Sequence, residues 1–544
     1  MKKGPVITVE AFSFSLLYPT RESQARHASR THRPSISAET AESLGLSTLI
    51  QLKNSSICDY FTAEREVIDY RADNFSDMLA CPEIAQTFIK ILPILSDIGE
   101  LRRMASGSEI GDDYLFSLSE IELYISAVEC LADGLLPCRA RLHGAALISL
   151  CDYIEKLSKS DYYKELNEKL NALTHRVRDI KSVTIGVNLD RTMQAEKCGV
   201  LSINAKPFKS GDTIDKILRM SFAKDEYTLM APLAPFAKGQ NENQKTAMRI
   251  ALSAAIDDIF KGSVRAWKKI VQTYVLDNTN FLLSVMPEIE FMVEAVNCMN
   301  ALKDRGLPLC RPQISDVRHT FCAKGLYNPA VALAIAGESV KNDFAFDDDG
   351  RIFILTGPNR GGKSVITCAV GLAAAFAQLG MLAPADEFTL YPADGIYTHF
   401  PSESGDTVDK GRLGEECQRL YDIFQSASAD SIVLLDESLS STGAYEASVI
   451  AAEILLGFSK LGCRTVFSTH LHTLAARAAE LNADAAAFHG AKIDTLTAKI
   501  EDGGKRTFSI LRKAPDGKSY AKDIADKYGL SLEKITETIK NKLS

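Results

Sequence analysis

The sequence predicts an α/β region over residues 311–544 built around a phosphate-binding loop, preceded by a largely α-helical region with a small β insertion. Three observations predict it. A glycine-rich turn, Gly357-Pro358-Asn359-Arg360-Gly361-Gly362-Lys363-Ser364, lies between the apolar run Ile352–Leu355 and the Ala-rich stretch Val365–Leu379. The short apolar run Ile432–Leu435 follows, as expected of a parallel strand buried on both faces, and then a third strand, Thr465–Ser468. Upstream, Phe75, Leu79, Ile84, Phe88, Leu92, Ile94, Ile98 and Leu101 recur at helical spacing.

At 544 residues the chain has room for three or four domains. A formal net charge of −8 excludes a uniformly basic surface, so any nucleic-acid contact has to come from a local patch. Twelve cysteines stand singly between Cys58 and Cys463 with no C-x-x-C pair. That pattern suggests neither a zinc site nor a disulfide framework, and it fits a reducing cytoplasm. Glu10 interrupts the apolar N-terminal stretch, and no run approaches the ~18 apolar residues of a membrane span. The expected location is therefore cytoplasmic, with no membrane partner.

Taken in order, residues 1–45 read as an N-terminal extension, with one or two strands over Val6–Tyr18 and a polar stretch over Arg21–Ser43. Residues 46–310 read as helical, punctuated at Pro82, Pro93 and Pro287. Within them lies an insertion at about 181–224. There Val183, Ile185, Val187 and Leu189 alternate with polar residues and can pair with Val200–Ile203 across the loop Asp190–Gly199. Between Arg176 and Lys224 ten Lys/Arg stand against five Asp/Glu. A solvated hairpin and a nucleic-acid contact, with Lys197, Lys206 and Lys209 as its candidates, both explain that excess.

The turn at 357–364 has the form G-x-x-x-x-G-K-[ST]. Its glycines let backbone N–H groups converge on an anion, and the next helix points its positive end at the same place. Lys363 would reach terminal phosphates and Ser364 would ligate Mg²⁺. Arg360 fills a variable loop position and is expected to be solvated. Asp436, ending the strand Ile432–Leu435, suits a Mg²⁺ water shell, and Glu437 could orient an attacking water. His470, ending the third strand, could touch the terminal phosphate or the water.

Together these residues resemble the MutS family of DNA mismatch-repair ATPases. The resemblance rests on Thr356–Ser364, Asn342-Asp343, Arg318-His319 with Tyr327-Asn328-Pro329, and Ala383-Pro384-Ala385. It also draws on Ile396-Tyr397-Thr398, Asp436-Glu437 with Thr442 and Tyr445, Ser468-Thr469-His470, Gly517–Tyr520 and Gly529-Leu530. More weakly, Ser182–Asn204 resembles the family's DNA-touching clamp hairpin and Glu288–Asn300 its lever helix. The resemblance implies an α/β C-terminal P-loop (ABC-type) ATPase domain with a terminal helix-turn-helix, preceded by a largely α-helical core/lever domain with a small β clamp-like insertion. It implies ATP and Mg²⁺ as ligands, bound by Gly357 through Ser364 and by Asp436. A homodimer with composite sites, DNA contacted through backbone and shape, and repair-protein partners are also implied.

The chain departs from the family pattern in two places. No phenylalanine is followed by Glu two positions on, so the family's mismatch-reading wedge is not expected, nor is a nuclease-like tail. Gly411-Arg412-Leu413-Gly414-Glu415 stands where the family has Gly-x-Ser-Thr-Phe, so Leu413 replaces the serine that meets the partner's nucleotide. A competing reading is a nucleotide-switched ATPase acting on a protein partner. A transporter ATPase is disfavoured, because the L-S-G-G-Q signature is missing.

Overall fold

A computed structural model describes residues 15–29, 35–106, 114–161, 163–168, 170, 182–189, 191, 195–204, 276–400, 412–500, 506–514 and 529–543. The strands among them are β1 (Ser35–Ile36), β2 (Ser182–Leu189), β3 (Ala195–Asn204), β4 (Gln313–Ile314), β5 (Phe321–Leu326), β6 (Asn342–Phe346) and β7 (Ile352–Thr356). They continue with β8 (Glu387–Leu390), β9 (Gly395–His399), β10 (Ile432–Asp436), β11 (Arg464–Ser468), β12 (Ile493–Ile500) and β13 (Arg506–Arg512). The chain forms two compact units, each drawn from separated stretches: Met1–Ser13, Gln86–Ala140 and Ser149–Met286, and Phe14–Ala85, Arg141–Ile148 and Pro287–Ser544.

The first unit is helical, with a hairpin. Ile91, Leu95 and Ile98 of the helix Pro82–Ser106 are buried, as are Ile121, Tyr124, Val128 and Leu131 of Tyr114–Leu135 and Ile154 of Ala145–Lys159. A half-buried ion pair, Arg102–Glu120 at 2.7 Å, ties two of these helices. Pro82 starts its helix, at the position where proline's missing N–H costs nothing. Pro93 does not break the helix as expected; it lies inside it. Pro93 and Ile89, the residue whose carbonyl loses its i+4 donor, both face solvent, while the flanking buried stripe keeps the helix in place. The hairpin pairs β2 and β3 antiparallel with Val183 opposite Ile203 and Asn188 opposite Lys197. Its connection is shorter than the predicted Asp190–Gly199, because β3 already begins at Ala195; the polar pair Glu196-Lys197 concealed the strand.

The second unit holds a seven-stranded sheet in the order β1-β9-β10-β11-β7-β12-β13, parallel except for the β12–β13 pair. The three runs read as strands are β7, β10 and β11, and every residue in them is buried. Their alternate side chains supply both faces. Ile352, Ile354, Val433, Leu435 and Phe467 pack with Leu455 and Phe458 of the helix Ala444–Leu461. On the other face lies the helix Lys363–Gln378, where Gly371 lets Leu434 approach closely. A four-stranded sheet, β4-β8-β5-β6, completes the unit.

Two expectations change here. Arg21–Ser43, read as loose and polar, carries the helices Arg21–Ala28 and Ala38–Ser43 and the edge strand β1, paired with β9. Thr20 and Ser37 cap those helices through their side chains, signals that were present but too local to stand out. Of the strands expected over Val6–Tyr18, residues 6–14 lie outside the described residues, and Ser15–Tyr18 are buried but not in a strand. Pro287 lies within the helix Leu276–Asp304, and its carbonyl accepts the Tyr60 hydroxyl at 3.0 Å.

Candidate active site

The site forms where β7, β10 and β11 end, the edge at which open parallel sheets bind ligands. β7 runs out at Thr356 into the turn 357–362, and the helix Lys363–Gln378 starts straight after. Gly357 has φ +143°, and a Cβ there would fall 2.7 Å from Ala498 Cβ on β12. Only glycine passes through that gap. Gly362, at φ +95°, starts the helix with no side-chain cap, leaving the first-turn N–H groups suited to an external anion. Asn359, Arg360 and Ser364 are exposed, while Gly357 and Gly361 are buried and Pro358 half-buried.

Lys363 is 4% exposed, and its Nζ donates to the carbonyls of Gly357 (3.1 Å) and Pro358 (3.2 Å). Burial lowers its basicity, while the charges of Glu437 and Asp436 pull the other way. The loop lysine and the two carboxylates therefore share one electrostatic environment. Asp436 ends β10 opposite Ser468 of β11. Asp436 Oδ1, Ser468 Oγ and Thr356 Oγ1 are buried without a hydrogen-bond partner. Leaving buried polar atoms unmet is costly. Together with the exposed Ser364 hydroxyl, these oxygens are the donor chemistry that a hard divalent cation and a phosphate ester call for.

Glu437 is half-buried with φ +45°, and its N–H donates to Ser468 O at 2.8 Å. Leu439 is left-handed too, at φ +66°; such strain costs roughly 1–3 kcal/mol per residue and clusters at functional sites. Between them, Ser438 Oγ shares a 2.7 Å hydrogen bond with His399 Nδ1. His470 stands exposed beyond β11, on a turn anchored by the bond from Thr469 N to Leu355 O (2.9 Å).

All eight turn residues, both carboxylates and His470 thus belong to one edge of one sheet. Sequence reasoning missed several neighbours. His472 is held less basic by burial and then by Lys363 and His470; its signal was the H-x-H spacing. Phe508, 46% exposed at φ +58°, lies beside Gly362. Asn342 ties that strand to β6, donating to Phe508 O (3.3 Å) and accepting from Ile510 N (2.7 Å). Leu413 lies in the first turn of the helix Arg412–Ser426, partly buried against the core. Lys197 lies on β3 in the first unit, whereas Lys206, Lys209 and Gly517–Tyr520 fall outside the described residues. No single described helix is long and apolar enough to cross a membrane.

A sheet-edge site of this kind belongs to a mixed α/β domain, and comparison with known proteins makes the class specific. The family model for MutS domain V matches residues 353–542, and that for the MutS2 N-terminal domain matches residues 63–305. The DNA mismatch repair protein MutS of Lactobacillus delbrueckii subsp. bulgaricus is 32% identical over 166 residues, covering 30% of this chain and 19% of that protein. The DNA mismatch repair protein Msh6 of Gallus gallus is 26% identical over 382 residues, covering 60% of this chain and 28% of Msh6. For human Msh6 the identity is 28% over 244 residues, covering 42% and 18%. The chain belongs to the MutS family. It spans less than a third of the length of each of these relatives.

Proposed function

We propose that this chain binds and hydrolyses ATP with Mg²⁺ at a P-loop, ABC-type site and uses the nucleotide to switch a DNA-binding dimer in repair or recombination. The observation that carries the reading is the buried Lys363, folded onto the carbonyls of Gly357 and Pro358 within the field of Asp436 and Glu437. Main-chain N–H groups between Asn359 and Ser364 cradle the phosphates, and Lys363 turns from its carbonyls to the terminal phosphates. Ser364 and Asp436 hold the metal, and Glu437 and His470 act on the attacking water and the terminal phosphate. Phe508, an exposed aromatic beside Gly362, offers the base a face to pack on.

DNA binding is supported by the names of the relatives and by the basic hairpin region. Contacts from Lys197, Lys206 and Lys209 go to phosphates and give shape-dependent, salt-sensitive binding. A homodimer and repair-protein partners follow from family membership. The test is the ATPase rate with homoduplex, mismatched and branched DNA against a DNA-free control, for wild type and a Lys197→Glu/Lys206→Glu/Lys209→Glu variant. Stimulation that falls with salt and with charge reversal is expected. Hydrolysis indifferent to every DNA would discard the DNA reading in favour of a protein partner.

A further inference from the structure

The segment after β10 is built unusually. Asp436 closes the strand, Glu437 and Leu439 are both left-handed without being glycine, and Ser438 between them is 4% exposed. Such a turn keeps one shape only if its surroundings impose it. Register supplies the first constraint: β9 pairs in parallel with β10 so that His399 lies opposite Leu435, one residue before the carboxylate pair. His399 is 6% exposed, and its Nδ1 reaches Ser438 Oγ at 2.7 Å. The helix Arg412–Ser426 brings the Glu416 carboxylate close to the same segment, where burial makes it less acidic and Ser441 and the Leu439 N–H act the other way. The turn is therefore gripped at Ser438, between its two left-handed residues, by a side chain from another strand.

We infer that His399 is a positioning residue for hydrolysis: through Ser438 it fixes the backbone that aims Glu437 at the attacking water. This rests on the ATPase reading above. His399 itself touches neither phosphate nor water, and it acts by denying the Glu437 turn an alternative shape. Its loss consequently leaves the phosphate loop, and with it nucleotide binding, intact. The effect falls on kcat and not on KM.

The experiment is steady-state ATP hydrolysis and nucleotide binding by the full chain. The variants are Lys363→Ala, His399→Ala, His399→Asn, Ser438→Ala and the His399→Ala/Ser438→Ala double. His399→Ala and Ser438→Ala should each lower kcat about tenfold with KM within about twofold, the loss expected for one buried hydrogen bond. The double variant should be no slower than either single, since both remove the same contact. His399→Asn, which restores a hydrogen-bonding atom near the Nδ1 position, should recover most of the rate. Ser438→Ala removes a single oxygen and decides the matter even if His399→Ala does not fold. A folded Ser438→Ala enzyme with wild-type kcat, a loss lying wholly in KM, or losses that multiply in the double variant would each overturn the inference. Absence of any Lys363-dependent hydrolysis in the wild type would instead sink the ATPase reading beneath it.

Discussion

Lys363→Met separates the two jobs a loop lysine can do, holding the fold and holding the ligand. In this structure the ammonium is 4% exposed and bonded only to two carbonyls. The net effect of its surroundings is to lower its basicity, burial outweighing the attraction of Glu437 and Asp436. The folded protein therefore does not gain from the charge, and methionine keeps most of the buried volume. Stability without nucleotide should stay within about 1 kcal/mol of wild type. Toward ATP the same change removes charge-assisted bonds worth roughly 2–3 kcal/mol, or about a hundredfold in affinity. At a ligand concentration a hundred times the wild-type Kd, bound nucleotide stabilises by about 2.7 kcal/mol; with a hundredfold weaker Kd the gain falls to about 0.4 kcal/mol. Denaturant unfolding with and without Mg-ATP measures both quantities on one sample. A variant that keeps the full nucleotide-induced stabilisation would refute the placement of phosphates against Lys363. One that is destabilised without nucleotide would refute the account of its burial.

Two further outcomes follow from packing and titration. Gly380, at φ +80° just past the phosphate-loop helix, would put a Cβ 2.3 Å from Arg71 Cβ, and Arg71 is itself fully buried. Gly380→Ala combines left-handed strain with overpacking and should cost roughly 2–4 kcal/mol in denaturant unfolding; an unchanged midpoint would contradict that contact. Burial, and then Arg419, lower the pKa of His399 below its usual 6.5, with only Glu39 and a backbone hydrogen bond opposing. A depressed folded-state pKa means the unfolded chain binds the proton first, so this contribution is present above pH 6.5 and is lost as pH falls through the folded value. His399→Asn should therefore flatten the loss of stability between neutral and mildly acid pH, and an identical slope in the variant would show that His399 does not titrate differently on folding.

The part of the site visible in the sequence is the part built from contiguous residues under a strong local rule. Gly357 has to be glycine because its backbone passes hard against Ala498, and Ile352–Leu355 and Ile432–Leu435 are apolar because both faces of their strands are covered. What stayed hidden depends on register. His399 and Ser438 are 39 residues apart and meet only because β9 pairs with β10. Asn342 reaches Phe508 and Ile510 across 166 and 168 residues. No pattern within a window of sequence encodes such meetings.

Proline misled for a related reason. The penalty at Pro93 is local, but it falls on a face where Ile89 and Pro93 are exposed, while Ile91 and Leu95 are buried on the other. Which face is open is a fact about the assembled unit. The same logic explains why Arg21–Ser43 read as a loose extension: a two-residue strand such as β1 carries no period of its own and exists only as the partner of β9. Short elements borrow their structure from the sheet edge they complete. Sequence period can therefore find the centre of this sheet but not its margins, and β1 belongs to those margins.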